Sequence, residues 1–182
     1  YSEDTATTVT LSSAIVTGSS KALSDVNIAI STAAASNTYT SASDGSASAS
    51  LTSGDTVTVT ANLDYSNTSK AVTSQDALDA LKLSVGLTTS AGTKTAFEYL
   101  AADFNQDGKV SSQDALSILK YSVGLTTPEQ AKWIFLNTDG DYSGVSKSNT
   151  SYTEGVSIAD LSADTSVSLT GILIGDVNDS FI

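Results

Sequence analysis

The sequence predicts an α+β fold: an N-terminal antiparallel β-sandwich, then a domain of three short helices, then a C-terminal β extension. Three observations predict it. Residues 1–63 alternate small or polar side chains with apolar ones at period two, residues 64–127 contain one helical stretch written twice, and residues 128–182 carry two bulky apolar runs. These give three regions, 1–63, 64–127 and 128–182, within a length that suits one large or two small domains.

Composition narrows the function classes. The 182 residues carry 20 acids against 8 basic residues, all lysine, for a net charge of −12. Without arginine there is no bidentate fork for phosphate, and the negative field repels nucleic acid and anionic lipid. Cysteine, methionine and histidine are absent, which excludes disulfides, thiolate metal sites and His- or Cys-based catalysis. A chain rich in Ser, Thr and Ala with no sulfur fits an extracellular or cell-surface setting, where a bound metal does the work of a disulfide. No run reaches the roughly 18–20 apolar residues of a membrane span, and there is no basic leader region.

In chain order, T-A-T-T-V-T-L-S-S-A-I-V, S-D-V-N-I-A-I-S-T-A, T-Y-T-S-A-S-D-G-S-A-S-A-S-L-T-S and D-T-V-T-V-T-A-N-L read as strands. Turn signals separate them at Gly18, Asp44-Gly45 and Gly54-Asp55. This order of strands and turns resembles the carboxypeptidase regulatory-like or Cna-B-like family, which implies a small sandwich serving as spacer or packing partner.

The helical stretch Val72–Thr89 matches Val110–Thr127 at 14 of 18 positions with an offset of 38. Ala77, Leu78, Leu81 and Val85, and their copies Ala115, Leu116, Leu119 and Val123, fall on one helical face and are expected to share a core. Gly86 and Gly124 stand at the expected C-caps, and Thr95–Ala101, with Phe97 and Leu100 at helical spacing, gives the connecting helix.

Before the second copy lies A-D-F-N-Q-D-G-K-V-S-S-Q-D. Asp103, Asn105, Asp107, Ser111 and Asp114 occupy places 1, 3, 5, 9 and 12 of a twelve-residue loop, with Lys109 offering its carbonyl at place 7 and Gly108 the turn at place 6. Ca²⁺ takes six to eight oxygens at about 2.3–2.6 Å, and this alternation turns successive oxygens inward around one ion. With Asp and not Glu at the last place and a helix following, D-F-N-Q-D-G-K-V-S-S-Q-D-A-L-S-I-L-K resembles the type I dockerin. The resemblance implies a dockerin-like three-helix calcium-binding domain and a cohesin-like protein partner. It further implies partner-facing residues at Ser74, Gln75 and Lys82 and at Ser112, Gln113 and Lys120. The first loop lacks the pattern: Tyr65, Asn67, Ser69, Thr73 and Asp76 take the ligand places, with Lys70 where glycine belongs. One ion in the pair of loops is therefore expected.

Beyond Thr127, T-P-E-Q reads as a helix start, and K-W-I-F-L and V-S-L-T-G-I-L-I-G-D-V as strands. Asp139, Asp141 and Ser143 before Gly144 open like another calcium loop, needing a distant ligand such as Glu154, Asp160 or Asp164. Asp176, Asn178 and Ser180 repeat the opening of the dockerin loop, and the fragment is a candidate to help complete the Asp139 site. No nucleophile–base pair is visible. The expected function is thus a non-catalytic, calcium-stabilised protein that assembles with another protein. The rival is a surface subunit assembling with copies of itself, and a weaker alternative is carbohydrate binding through Trp133.

Overall fold

The computed structural model describes residues 6–66 and 70–181. Five strands come first, β1 (Thr8–Thr17), β2 (Asn27–Ser31), β3 (Ser36–Thr40), β4 (Ser46–Thr52) and β5 (Asp55–Asn62). Three helices follow, α1 (Ser74–Ser84), α2 (Ala96–Ala102) and α3 (Ser112–Ser122), then β6 (Trp133–Asn137), β7 (Val156–Leu161) and β8 (Thr165–Leu173). The strands form two four-stranded sheets, ordered β4-β1-β8-β6 and β3-β2-β5-β7.

The chain divides into two compact units. The first contains Tyr1–Leu63, Phe135–Asp139 and Glu154–Gly171; the second contains Asp64–Ile134, Gly140–Thr153 and Ile172–Ile182. In the first unit the period-two pattern determines the packing. Leu11 and Ile15 of β1, Ile28 of β2, Val57 and Val59 of β5, Leu161 of β7 and Leu169 of β8 are fully buried, while their sequence neighbours Thr10, Asn27 and Thr58 face out. Burying each such side chain contributes roughly 1.5–3 kcal/mol.

The expected architecture needs correction. The molecule is mostly β, with three short helices, and no separate three-helix dockerin-like domain forms, although the mixture of helix and strand agrees with an α+β class. Residues 128–182 do not add a β extension of their own. Strand β8 lies between β1 and β6, running parallel to β1 with Leu11 opposite Thr165 and Thr17 opposite Gly171, and β7 pairs with β5. The first sheet is therefore mixed, where an antiparallel sandwich was expected. Periodicity reports that a strand has a buried face but not which distant strand it joins. Strand β7 escaped prediction although V-S-I-A-D-L follows Gly155.

The helices are too short to make a core by themselves. At 11, 7 and 11 residues, they depend on irregular segments for much of the second unit's interior, which includes Val72, Phe104, Val110, Ile174 and Val177, and on Trp133 at the start of β6. Residues 128–131 form no helix. The Thr127 hydroxyl donates to the Glu129 carbonyl at 2.6 Å and Gln130 Nε2 to the Thr127 carbonyl at 3.1 Å, closing a turn that leads directly into β6. The helix C-caps form as expected: Leu87 N donates to Lys82 O and Leu125 N to Lys120 O, each at 2.9 Å, around Gly86 and Gly124 in the left-handed region.

Leu169 tests the role of β8. Leu169→Ala, at a fully buried position, is expected to destabilise the protein by about 2–5 kcal/mol in denaturant unfolding. A loss under about 0.5 kcal/mol, the size of a surface substitution, would mean that β8 is not a core strand.

Candidate functional site

The loop from Asp103 to Asp114 is built around two carboxylates that are almost fully removed from water, Asp103 at 2 % exposure and Asp114 at 0 %. Asp103 accepts N–H bonds from Asp107 at 3.1 Å and Gly108 at 3.0 Å, and the hydroxyl of Thr150. Asp114, at the third position of α3, accepts from Asn105 N at 3.1 Å and from Ser111 N at 2.8 Å. Asn105 and Asp107 close smaller turns, accepting from Asp107 N at 3.0 Å and Lys109 N at 3.2 Å. Gly108, at φ 91°, occupies the left-handed turn that its place in the loop requires. A hairpin braces the loop from outside: Val110 N donates to Lys147 O at 2.7 Å and Thr150 N to Gly108 O at 3.1 Å.

Burial raises the Asp103 pKa, the charge of Asp114 adds to that, and the N–H donors oppose it. Among the described residues the ion pairs are Lys82–Asp79 and Lys109–Asp107, so neither buried carboxylate has a lysine partner. Nor, among those residues, do three or more acidic side chains converge into a metal-binding group. The donor set nonetheless fits a hard cation. It consists of oxygens only, and each carboxylate keeps lone pairs beyond the N–H bonds it accepts.

The same arrangement occurs a second time, assembled from pieces far apart in sequence. Asp176 accepts from Ser180 N and Phe181 N, each at 2.9 Å, as Asp103 does from Asp107 and Gly108. Asn178 N donates to Asp76 Oδ1 at 3.1 Å, as Asn105 N does to Asp114. Thr73 N donates to Asp76 Oδ2 at 2.8 Å, as Ser111 N does to Asp114. Asp179, at φ 52°, matches Gln106, at φ 58°, and buried Val177 matches buried Phe104. Residues 176–181 thus take, beside α1, the places that residues 103–108 take beside α3. Asn67 and Ser69 lie outside the described residues. Asp76 and Asp176 are both buried, and burial with help from the Asp76 charge pushes Asp176 up to about 6.

This corrects the expected destination of Asp176, Asn178 and Ser180, which do not join Asp139. Asp139, Asp141 and Ser143 are all exposed, with Ser143 N closing a local turn onto Asp141 at 2.9 Å. Of the distant ligands considered, Glu154 accepts from Phe135 N at 3.2 Å and Asp164 from Thr10 N at 2.8 Å, while Asp160 is exposed. Trp133 and Phe135 are buried and present no stacking platform.

Of the residues expected to share a core, Ala77 and Ala115 are buried and the six larger ones are not. Leu78, Leu81 and Val85, with Leu116, Leu119 and Val123, are 41–64 % exposed; Ala77, Ala80 and Leu83 enter the core with Ala115, Ile118 and Tyr121. With Leu87 and Leu125, these six are the exposed large hydrophobic side chains of the described residues. Between α1 and α3 lies an open groove of about 350 Å³, lined by Ser74, Ala77, Leu78 and Leu81 and by their copies Ser112, Ala115, Leu116 and Leu119. Of the residues expected to face a partner, Ser74, Gln75, Ser112, Gln113 and Lys120 are exposed. Lys82 is half-buried, with its ammonium 3.5 Å from buried Asp79.

The repeat differs at four positions, 73/111, 79/117, 80/118 and 83/121. The last two are core residues in both copies, and the exposed positions are identical. Neither a family model, nor a curated protein, nor a solved structure matches the chain.

With calcium chelated, a carboxyl whose folded pKa is raised stabilises the fold at low pH, and that contribution is lost as pH rises through the folded pKa. For Asp176 the window runs from about 4, the usual carboxylate value, to about 6. Melting temperature in chelator should therefore be higher at pH 5 than at pH 7, with no histidine to contribute. Asp176→Asn should flatten that slope. An unchanged slope in the variant would contradict the burial of this carboxyl.

Proposed function

We propose that the chain is a non-catalytic, extracellular or cell-surface docking module stabilised by calcium, and that the paired face of α1 and α3 receives a partner protein. The observation that carries this reading is the pattern of divergence inside the repeat. If only folding constrained the two copies, their buried positions would agree best and their surfaces would drift. Here Ala80 faces Ile118 and Leu83 faces Tyr121 in the alignment, while Ser74, Gln75, Leu78, Leu81, Lys82, Val85 and Leu87 recur unchanged. Exposed leucines cost solubility, so a double set retained on the surface is best explained by a partner that covers it. The partner's surface would be apolar with polar groups at its rim to meet Ser and Gln, and two equal copies offer it either of two orientations.

Calcium would be held by Asp103, Asn105, Asp107, Asp114 and the Lys109 carbonyl, with Ser111 beside them. Bound there, the ion supplies positive charge to buried carboxylates and converts binding free energy into folding free energy. The chain's own contribution is to pre-orient these oxygens through the N–H bonds from residues 105–111 and the brace from residues 147–150. The likeness of this loop and the helix after it to the dockerin supports the reading, and it extends no further than that loop–helix pair.

Two outcomes test the proposal. At free calcium one hundredfold above the dissociation constant, the gain is about 2.7 kcal/mol, which corresponds to roughly 5–10 °C in melting temperature for a chain of this size. Melting that ignores EDTA would exclude calcium as a folding ligand. For docking, protein captured from a cell-surface fraction should survive Leu81→Asp or Leu119→Asp alone, within a few-fold. It should fall about a hundredfold, some 2.7 kcal/mol, in the double variant. Capture untouched by the double variant would contradict the face. Concentration-dependent homopolymers abolished by the same variant would assign the face to a second copy of this chain.

A further inference from the structure

The segment 176–181 has no continuity with the place it occupies. It meets Ala71–Asp76 across about one hundred residues of chain: Asn178 N donates to Asp76 Oδ1, and the Ser180 hydroxyl donates to the Ala71 carbonyl at 3.0 Å. Its anchors are specific. The Phe181 ring stands edge-on to Trp133 at 4.9 Å and against Tyr65 at 6.4 Å, and Val177 is 2 % exposed. Entry to the segment runs through Gly175, whose N–H donates to Ala101 O at 2.8 Å. A Cβ on this glycine, at φ 103°, would stand 2.9 Å from the Phe104 ring. In the alignment of the two copies Tyr65 stands opposite Asp103, so that sequence position carries no carboxylate.

We propose that Ala71–Asp76, with Tyr65 and Trp133, is a receptor for a short Asp-X-Asn-X-Ser-aromatic peptide, and that residues 176–181 are the segment of this chain that fills it. The receptor recognises backbone as much as side chains, since Asp76 takes an N–H from the peptide and Ala71 a hydroxyl. What docks there controls α1. Asp76 is the third residue of that helix, and its carboxylate is shared between the Thr73 amide and the Asn178 amide. With the segment in place both helices begin in the same way; with it absent, the start of α1 loses a buried partner while α3 keeps its own. Where this bears on docking it rests on the α1–α3 face proposed above: an empty receptor would leave α3 as the intact copy.

The test uses a chain ending at Gly175 and a synthetic Asp-Val-Asn-Asp-Ser-Phe peptide. Fluorescence of Trp133, the single tryptophan, and amide exchange over residues 73–78 are the readouts. The shortened chain should show altered emission and faster exchange there. The peptide should restore both saturably, and a scrambled peptide of equal composition should require at least about tenfold more. Unchanged emission and exchange on shortening, failure of the peptide to restore them, or equal restoration by the scrambled peptide would overturn the proposal. Should the shortened chain not fold, Asn178→Pro in the full chain decides, because it removes the N–H given to Asp76, with Asn178→Ala, which keeps that N–H, as the control for the lost side chain. Faster exchange at residues 73–78, with protection of β1 and β2 unchanged, supports the receptor, and unchanged exchange overturns it. These readouts are independent of partner capture, so a failure of the docking face and a failure of the receptor are told apart.

Discussion

Buried carboxylates at the start of a helix are the constraint from which the second unit is built. Asp114 begins α3 and Asp76 begins α1, both at 0 % exposure, and each is opposed by a second buried acid, Asp103 or Asp176. A carboxylate removed from water costs several kcal/mol unless hydrogen bonds or opposite charge offset it. Backbone N–H groups supply the hydrogen bonds in both places, which is why the loops wind so tightly and why positive φ recurs at Gln106 and Asp179. Among the described residues no lysine forms an ion pair with any of these four carboxylates; the ion pairs are Lys82–Asp79 and Lys109–Asp107. A bound calcium ion would answer that deficit.

From this constraint the arrangement of α1 and α3 follows. Two helices begun by equivalent loops and ended by equivalent glycine caps place equivalent residues on equivalent faces. Ala77 and Ala115 both line the groove, small enough to let the helices approach, while the leucines beside them stay in solvent. The core beneath has been free to change, with Tyr121 where the first copy has Leu83, its ring 5.6 Å from Phe104. The exposed positions are all retained between the copies, together with buried Val72, Asp76, Ala77 and Thr89, while Ala80 and Leu83 have changed.

Strands β1, β2 and β5 could be read from alternation because one face of each is buried and the other wet. The turn at Asp103–Asp114 could be read because its Asp, Asn and Gly residues are spaced to accept successive backbone N–H groups and to take a positive φ at Gly108. Three things were hidden. Pairing partners were hidden, since nothing in V-S-L-T-G-I-L says that it will lie parallel to β1. The buried helix face was hidden because alanines and acids pack inward beside Leu83 while Leu78 and Leu81 do not: Asp79 accepts from Ser90 N at 2.7 Å and Ser90 Oγ at 2.5 Å, and so enters the core satisfied. The identity of the exposed positions between copies was the signal that could have revealed it. Finally, D-V-N-D-S was legible as half of a loop, but Ala71–Asp76 was not legible as its other half, because the sequence just before it has Tyr65 and Ser69 aligned with Asp103 and Asp107.

The most direct measurement is a crystal structure grown in calcium, with anomalous data collected at long wavelength. The predicted result is a calcium peak enclosed by Asp103, Asn105, Asp107, Asp114 and the Lys109 carbonyl, with oxygens at about 2.3–2.6 Å. A loop holding only water there, with Asp103 and Asp114 sharing a proton, would contradict it.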